Sequence, residues 1–216
     1  MSRSEKAEQT YQQILAVSAK LFREQGYEKT SIQDILNELK LSKGAVYHHF
    51  KSKKEILDAI LDVSGEQRLD LLRKLIKETQ AKNAREKLAK VFSNYLDAAD
   101  LTQLDKELML VHMKDPYIFL AEVQDQMNNA KMLVDLLEEG ISDGSFEIEY
   151  PLELAEIIFM MANIWLNPVL FNRNFEQTER RLKFLQQALS RLGVDVVSDE
   201  IIDKMLSQYQ SLGYFE

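Results

Sequence analysis

Apolar residues along this chain return at intervals of three and four rather than two, and that spacing predicts helices almost throughout. Tyr11, Ile14, Leu15, Ser18, Leu21 and Phe22 share one face of an amphipathic helix over residues 5–25, stopped by Gly26, a residue suited to a helix C-terminus. Ser31 stands three residues before Asp34, an N-cap with an acid in the first turn, and Ile32, Ile35, Leu36 and Leu39 form the stripe of a short second helix. After the connection Lys40-Leu41-Ser42, a third short helix starts at the Ser42 cap and carries Val46 and Phe50 inward. Ser52-Lys53-Lys54-Glu55 has the form of a capping box and opens a fourth helix with Ile56, Leu57, Ile60 and Leu61 in its stripe. The spacing resumes at Leu69, Leu72, Leu75 and Ile76, so this helix is long, with Ser64-Gly65 as a place for a kink. Further helices are expected over 84–99, 103–114, 117–142, 151–171, 177–192 and 199–212. The fold class is all-α, with about nine to ten helices and no period-two strand, repeat or low-complexity tract.

Composition agrees. Of 216 residues 45% are hydrophobic, enough for a buried core, and seven glycines and three prolines suit long helices joined by short turns. The chain has no cysteine, which excludes disulfides and thiolate metal sites and suits a reducing compartment. The N-terminus is polar, with no signal-peptide pattern, and the longest apolar run, Ile157–Ala162, falls far short of the ~20 residues that cross a bilayer. A soluble, cytoplasmic protein without membrane partners is expected.

The net charge of −8 argues against a nucleic-acid binder until it is divided along the chain. Residues 1–54 carry ten basic and six acidic side chains, net +4, which leaves −12 for the rest. Between Leu39 and Lys54 stand five lysines, His48 and His49, and no acid. A charge run alone is more often a solvated face. Here it coincides with two short helices joined by a tight turn and braced by a third, the pattern of a helix-turn-helix whose second helix enters the major groove. Gly44 and Ala45 are small where that helix must approach DNA, and Lys43, Tyr47, His48 and His49 offer donors to phosphates and base edges. Lys53 and Lys54 add ammonium groups at the start of the next helix.

Leu41 to Glu55, preceded by Gly26 to Ile35, resembles the DNA-binding segment of the tetracycline-repressor (TetR) family, over roughly residues 10–57. Phe22, Gly26, Thr30, Asp34-Ile35, Ser42, Gly44 and Tyr47-x-His49-Phe50 carry the likeness, and Gly140-x-x-x-Gly144-x-Phe146 is similar to a feature of the family's regulatory domain. The resemblance implies that Thr30, Ser31, Tyr47, His49 and Lys53 touch phosphates, while Lys43, Ala45 and His48 face bases. It implies a helix-turn-helix DNA-binding domain over residues 1–52 and an effector-binding and dimerisation domain over 53–216. Two departures stand out. Leu39-Lys40 replaces the family's usual Ala-Gly, and a non-glycine held at positive φ there costs about 1 kcal/mol. Ala45 replaces a common threonine and leaves only a methyl to meet a thymine methyl.

Other features are weaker. His48 and His49 are neighbours on a helix and cannot chelate one ion as an i, i+4 pair would, so no metal or other cofactor is expected. His112, among Leu108, Met109, Val111 and Met113, reads as core or as a polar anchor in a ligand pocket. Met109, Met113 and Met127 suit core filling or a plastic apolar cavity. Trp165, flanked by Asn163 and Asn167, brings polar atoms to an apolar helix. Tyr95, Met109, His112, Met113, Met127 and Trp165 are the candidate effector-binding residues. No catalytic set is visible, and no enzyme is expected. The reading is a homodimeric regulator that binds a palindromic operator in double-stranded DNA and is released by a small, largely apolar effector. The alternative is an all-helical ligand- or protein-binding module without sequence-specific DNA binding.

Overall fold

The computed structural model of the chain describes residues 2–98 and 116–215. Among these residues it contains nine α-helices and no strand: α1 (Arg3–Gln25), α2 (Ile32–Leu39), α3 (Lys43–Tyr47), α4 (Lys53–Glu78), α5 (Ala84–Ala98), α6 (Pro116–Ser142), α7 (Pro151–Met160), α8 (Phe175–Arg191) and α9 (Asp199–Ser211). A π-helical turn, Met161–Trp165, continues α7. The helix expected over 103–114 lies outside the described residues. Two compact units divide between Gln67 and Arg68, within α4.

The first unit is assembled from capped helices. Ser2 and Glu5 form a reciprocal capping box at α1, and Ser31 and Asp34 form another at α2, so the free N–H groups of each first turn find partners. Gly26, at φ 86°, ends α1 and donates its N–H to the Phe22 carbonyl. The inner stripes then meet: Ile14, Phe22, Ile35, Val46 and Ile56 are fully buried, and Leu15, Leu36, Phe50 and Leu57 nearly so. Each such side chain contributes roughly 1.5–3 kcal/mol relative to exposure. Ser18 shares this interior, and its hydroxyl has no hydrogen-bond partner among the described residues. The turn between α2 and α3 is made by Lys40, at φ 54° and ψ 32°, in the left-handed region that glycine enters without penalty. Ser64-Gly65 makes no break, since α4 runs unbroken through it.

The second unit buries Leu88 and Val91 of α5, Leu133, Leu136 and Leu137 of α6, Ala155 of α7 and Leu182 of α8 around one core. A turn after α6 ties it together. Asp143 accepts the Ala84 N–H at 2.8 Å and so caps α5 from a distant part of the chain. Arg85 donates to the Ser145 carbonyl and stands 5.3 Å from the centre of the Phe146 ring. Phe146 packs directly over Gly140, where a Cβ would overlap its ring. The Gly140-to-Phe146 pattern is therefore a packing device.

The helix expected to reach residue 171 stops earlier. Pro168 has no N–H to continue the ladder and crowds the carbonyl four residues back, at Ile164. The chain widens into the π turn, with the Leu166 N–H bonded to Met161 O at 2.8 Å. Asn167 Oδ1 then accepts the Val169 and Leu170 N–H groups, and Arg173 donates to the Trp165 carbonyl.

Candidate nucleic-acid interface

Three N-terminal ends come from the first unit: those of α2 at Ser31, α3 at Ser42 and α4 at Lys53. Ser42 accepts the Ala45 N–H at 3.3 Å and starts α3. Buried Val46 and Phe50 fix which face turns outward. Lys43, Gly44, Tyr47 and His48 are exposed on the other side, and Ala45 and His49 are half-buried. A Cβ added at Gly44 would meet nothing within 4 Å, and Gly44 has no positive φ. Among the described residues, neither packing nor backbone strain therefore requires glycine there.

The side chains around this face are held in place. Tyr11 of α1 stacks on Phe50 at 5.1 Å between ring centres and meets His49 edge-on at 6.1 Å. His48 and His49 lie edge-on at 5.2 Å, and the Lys43 ammonium stands 5.4 Å from the centre of the Tyr47 ring. Lys20 and Glu38 pair at 2.8 Å, joining α1 to α2. Ser31 is exposed, but its hydroxyl donates to Asp34 at 2.6 Å and its N–H to the same carboxylate at 2.8 Å. Those two bonds, the hydroxyl's first, hold the Asp34 carboxyl below its ordinary value of 3.8.

Two of the expected phosphate contacts bond to the chain's own backbone. Thr30 is only 2% exposed, and its Oγ1 donates to the Gly26 carbonyl at 2.9 Å. The Lys53 ammonium donates to the Tyr27 carbonyl at 2.7 Å. Neither partner could be read from spacing, because both are backbone carbonyls, and the one Lys53 reaches lies 26 residues earlier in the chain. Tyr11 was legible only as an inner-face residue; its contact with His49 was missed.

Three of the six effector candidates are described. Met109, His112 and Met113 lie outside the described residues. Tyr95 on α5 and Trp165 in the π turn are partly buried against the second core, while Met127 on α6 is 37% exposed. Burial pushes the Tyr95 phenol up from its ordinary value of 10.0, against a smaller opposing effect of Arg68. A cavity of about 380 Å³ opens beside α5 and the start of α9, lined by Lys90, Ser93, Asp195 and Ser198 among others, and none of the described candidates, Tyr95, Met127 and Trp165, lines it.

The family model for the N-terminal part of "Bacterial regulatory proteins, tetR family" matches residues 14–60, across this interface. A second, "Tetracyclin repressor-like, C-terminal domain", matches residues 121–187, and together they span more than half of the chain. The chain belongs to the TetR family. Like other TetR-family proteins it is a DNA-binding transcription regulator. It is 24% identical over 159 residues to the HTH-type transcriptional repressor KstR2 of Rhodococcus jostii, covering 71% of this chain and 76% of that one. It is 28% identical over 152 residues to the repressor of the same name from Mycolicibacterium smegmatis, covering 66% and 70%. A TetR-family regulator from Pectobacterium atrosepticum shares the fold with a TM-score of 0.66 at 24% identity, covering 90% of this chain and 98% of that one. Among the described residues no helix of this TetR-family chain is long and apolar enough to cross a membrane.

Proposed function

We propose that the chain is a cytoplasmic repressor that binds a palindromic operator as a homodimer and is released by a small, largely apolar effector. The observation that carries this reading is the exposed face of α3, free of acidic residues, with Lys43, Tyr47 and His48 around a glycine that faces open space. Lys43, Ala45 and His48 are assigned to base edges, and Ser31, Tyr47 and His49 to phosphates. Gly44 is assigned to close approach. Thr30 and Lys53 are assigned to the same interface, although their polar groups already donate to backbone carbonyls. The division is 1–52 for DNA binding and 53–216 for effector binding and dimerisation.

A single helix-turn-helix makes few contacts, so two copies on one duplex are needed for tight specific binding. Support for a second copy comes from large apolar side chains left exposed on α7 and α8. Ile157 is 43% exposed and Phe184 54%, and Phe184 meets Trp165 edge-on at 5.9 Å. Release follows if effector binding shifts α4, which carries Ile56 and Leu57 in the first core and Leu72 in the second. A shift of that helix changes the spacing of the two recognition helices, so effector and operator compete through one element. Tyr95, Met109, His112, Met113, Met127 and Trp165 remain the proposed effector contacts. Selection of bound sequences from a random duplex pool, at near-physiological salt, tests the reading. It is expected to enrich a palindrome with half-sites about one turn (~34 Å) apart. Enrichment of no sequence, with binding that is uniformly weak and steeply salt-dependent, overturns it.

A further inference from the structure

Lys53 begins α4, yet its ammonium turns onto the connection between α1 and α2. It donates to the Tyr27 carbonyl at 2.7 Å, reaches the Glu28 carbonyl at 3.4 Å, and stands 4.2 Å from the centre of the Tyr27 ring. The same Tyr27 carbonyl accepts the Thr30 N–H at 3.2 Å. Thr30 Oγ1 closes the turn onto Gly26, and Gln25 donates to Thr30 Oγ1 at 3.3 Å. Ser31 follows immediately and caps α2. One carbonyl thus joins the first residue of α4 to the residues that set the N-terminus of α2. An ammonium has three donors, and here two carbonyls and a ring face already engage it.

We propose that Lys53 is a positioning residue for DNA binding and not a phosphate ligand. It clamps residues 27–31 to the start of α4, so that Ser31 and the N-terminus of α2 meet the phosphate backbone in register with α3. The inference rests on the DNA interface proposed above and changes the role of one residue within it. It also gives α4 a direct hold on α2, because displacing Lys53 pulls on the turn that carries Ser31.

The test is fluorescence anisotropy of the full chain on a duplex selected with the wild-type protein, between about 50 and 200 mM salt. Lys53→Met is expected to weaken binding about tenfold while the slope of log affinity against log salt stays unchanged. Loss of a phosphate contact lowers that slope by about 0.9 per protomer, and that result overturns the proposal. Ser31→Ala is expected to weaken the wild type but to add nothing in the Lys53→Met background; additive losses also overturn it. Lys53→Arg is expected to restore affinity, since a guanidinium can donate to the same carbonyls and stack on Tyr27. Acylation of the wild-type lysines gives a readout that survives a variant failing to fold. Lys53 is expected to react slowly with and without the duplex, whereas the exposed Lys43 and Lys51 react fast and become protected on DNA. A Lys53 that reacts like Lys51 in the free protein overturns the proposal. A wild-type chain that binds no selected duplex overturns the interface reading along with it, whereas a flattened slope overturns this inference alone.

Discussion

At the scale of single residues, Lys40 and Gly44 divide stability from function. Lys40 holds φ 54° at the end of α2, a conformation glycine adopts without penalty. Lys40→Gly is expected to stabilise the chain by about 1 kcal/mol in chemical denaturation, since only the backbone strain is relieved. Gly44 is the opposite case. With open space around its Cβ position, Gly44→Ala is expected to leave stability unchanged or raise it by up to about 1 kcal/mol through helix propensity. The same variant is expected to lose at least about tenfold in operator affinity (roughly 1.4 kcal/mol), because the added methyl meets DNA instead of protein. A destabilised Gly44→Ala with intact DNA binding would place the close approach inside the protein. Lys40's strain was legible from the missing glycine. The backbone contacts of Thr30 and Lys53 were not, because sequence spacing fixes which face a side chain lies on but not which carbonyl its polar end reaches.

At the scale of elements, caps and packing devices set the boundaries. The starts of α2, α3 and α4 followed from Ser31, Ser42 and Ser52, since an N-cap is a local hydrogen bond between residues three apart. The end of α7 did not follow, because apolar residues continue past Pro168 to Phe171, whereas the N–H that proline lacks ends the helix in the fold. The cap of α5 was out of reach, since Asp143 is supplied from 59 residues away. Gly140→Ala is expected to cost about 1–3 kcal/mol in thermal or denaturant unfolding, by driving a methyl into the Phe146 ring. The caps also set the response to acid. Hydrogen bonds from Ser145 and Ala84 hold the Asp143 carboxyl below its ordinary value, as those from Ser31 do for Asp34. The unfolded chain therefore binds these protons more readily, so their stabilisation is complete above the ordinary carboxylate range and lost as pH falls. The unfolding midpoint is expected to hold down to about pH 5 and then drop, and to drop less in Asp143→Asn. A midpoint equally acid-sensitive in that variant would remove Asp143 from the account.

At the scale of the whole molecule, charge and exposure separate two tasks. The first 54 residues are net positive and the remainder strongly negative, so the proposed DNA interface lies in the basic part of the chain. That division, the all-helical class and the outward face of α3 were all legible in the sequence. The effector contacts stay a proposal: Met109, His112 and Met113 lie outside the described residues, and Tyr95, Met127 and Trp165 stand on three separate segments. The central claim is that the outward face of α3 reads the operator. The most direct test is to repeat the duplex selection with Lys43→Ala, His48→Ala and Tyr47→Ala. The account predicts a changed base preference, mirrored in both half-sites, for the first two, and an unchanged motif bound more weakly for Tyr47→Ala. The wild-type motif recovered with all three, at reduced affinity alone, would contradict it.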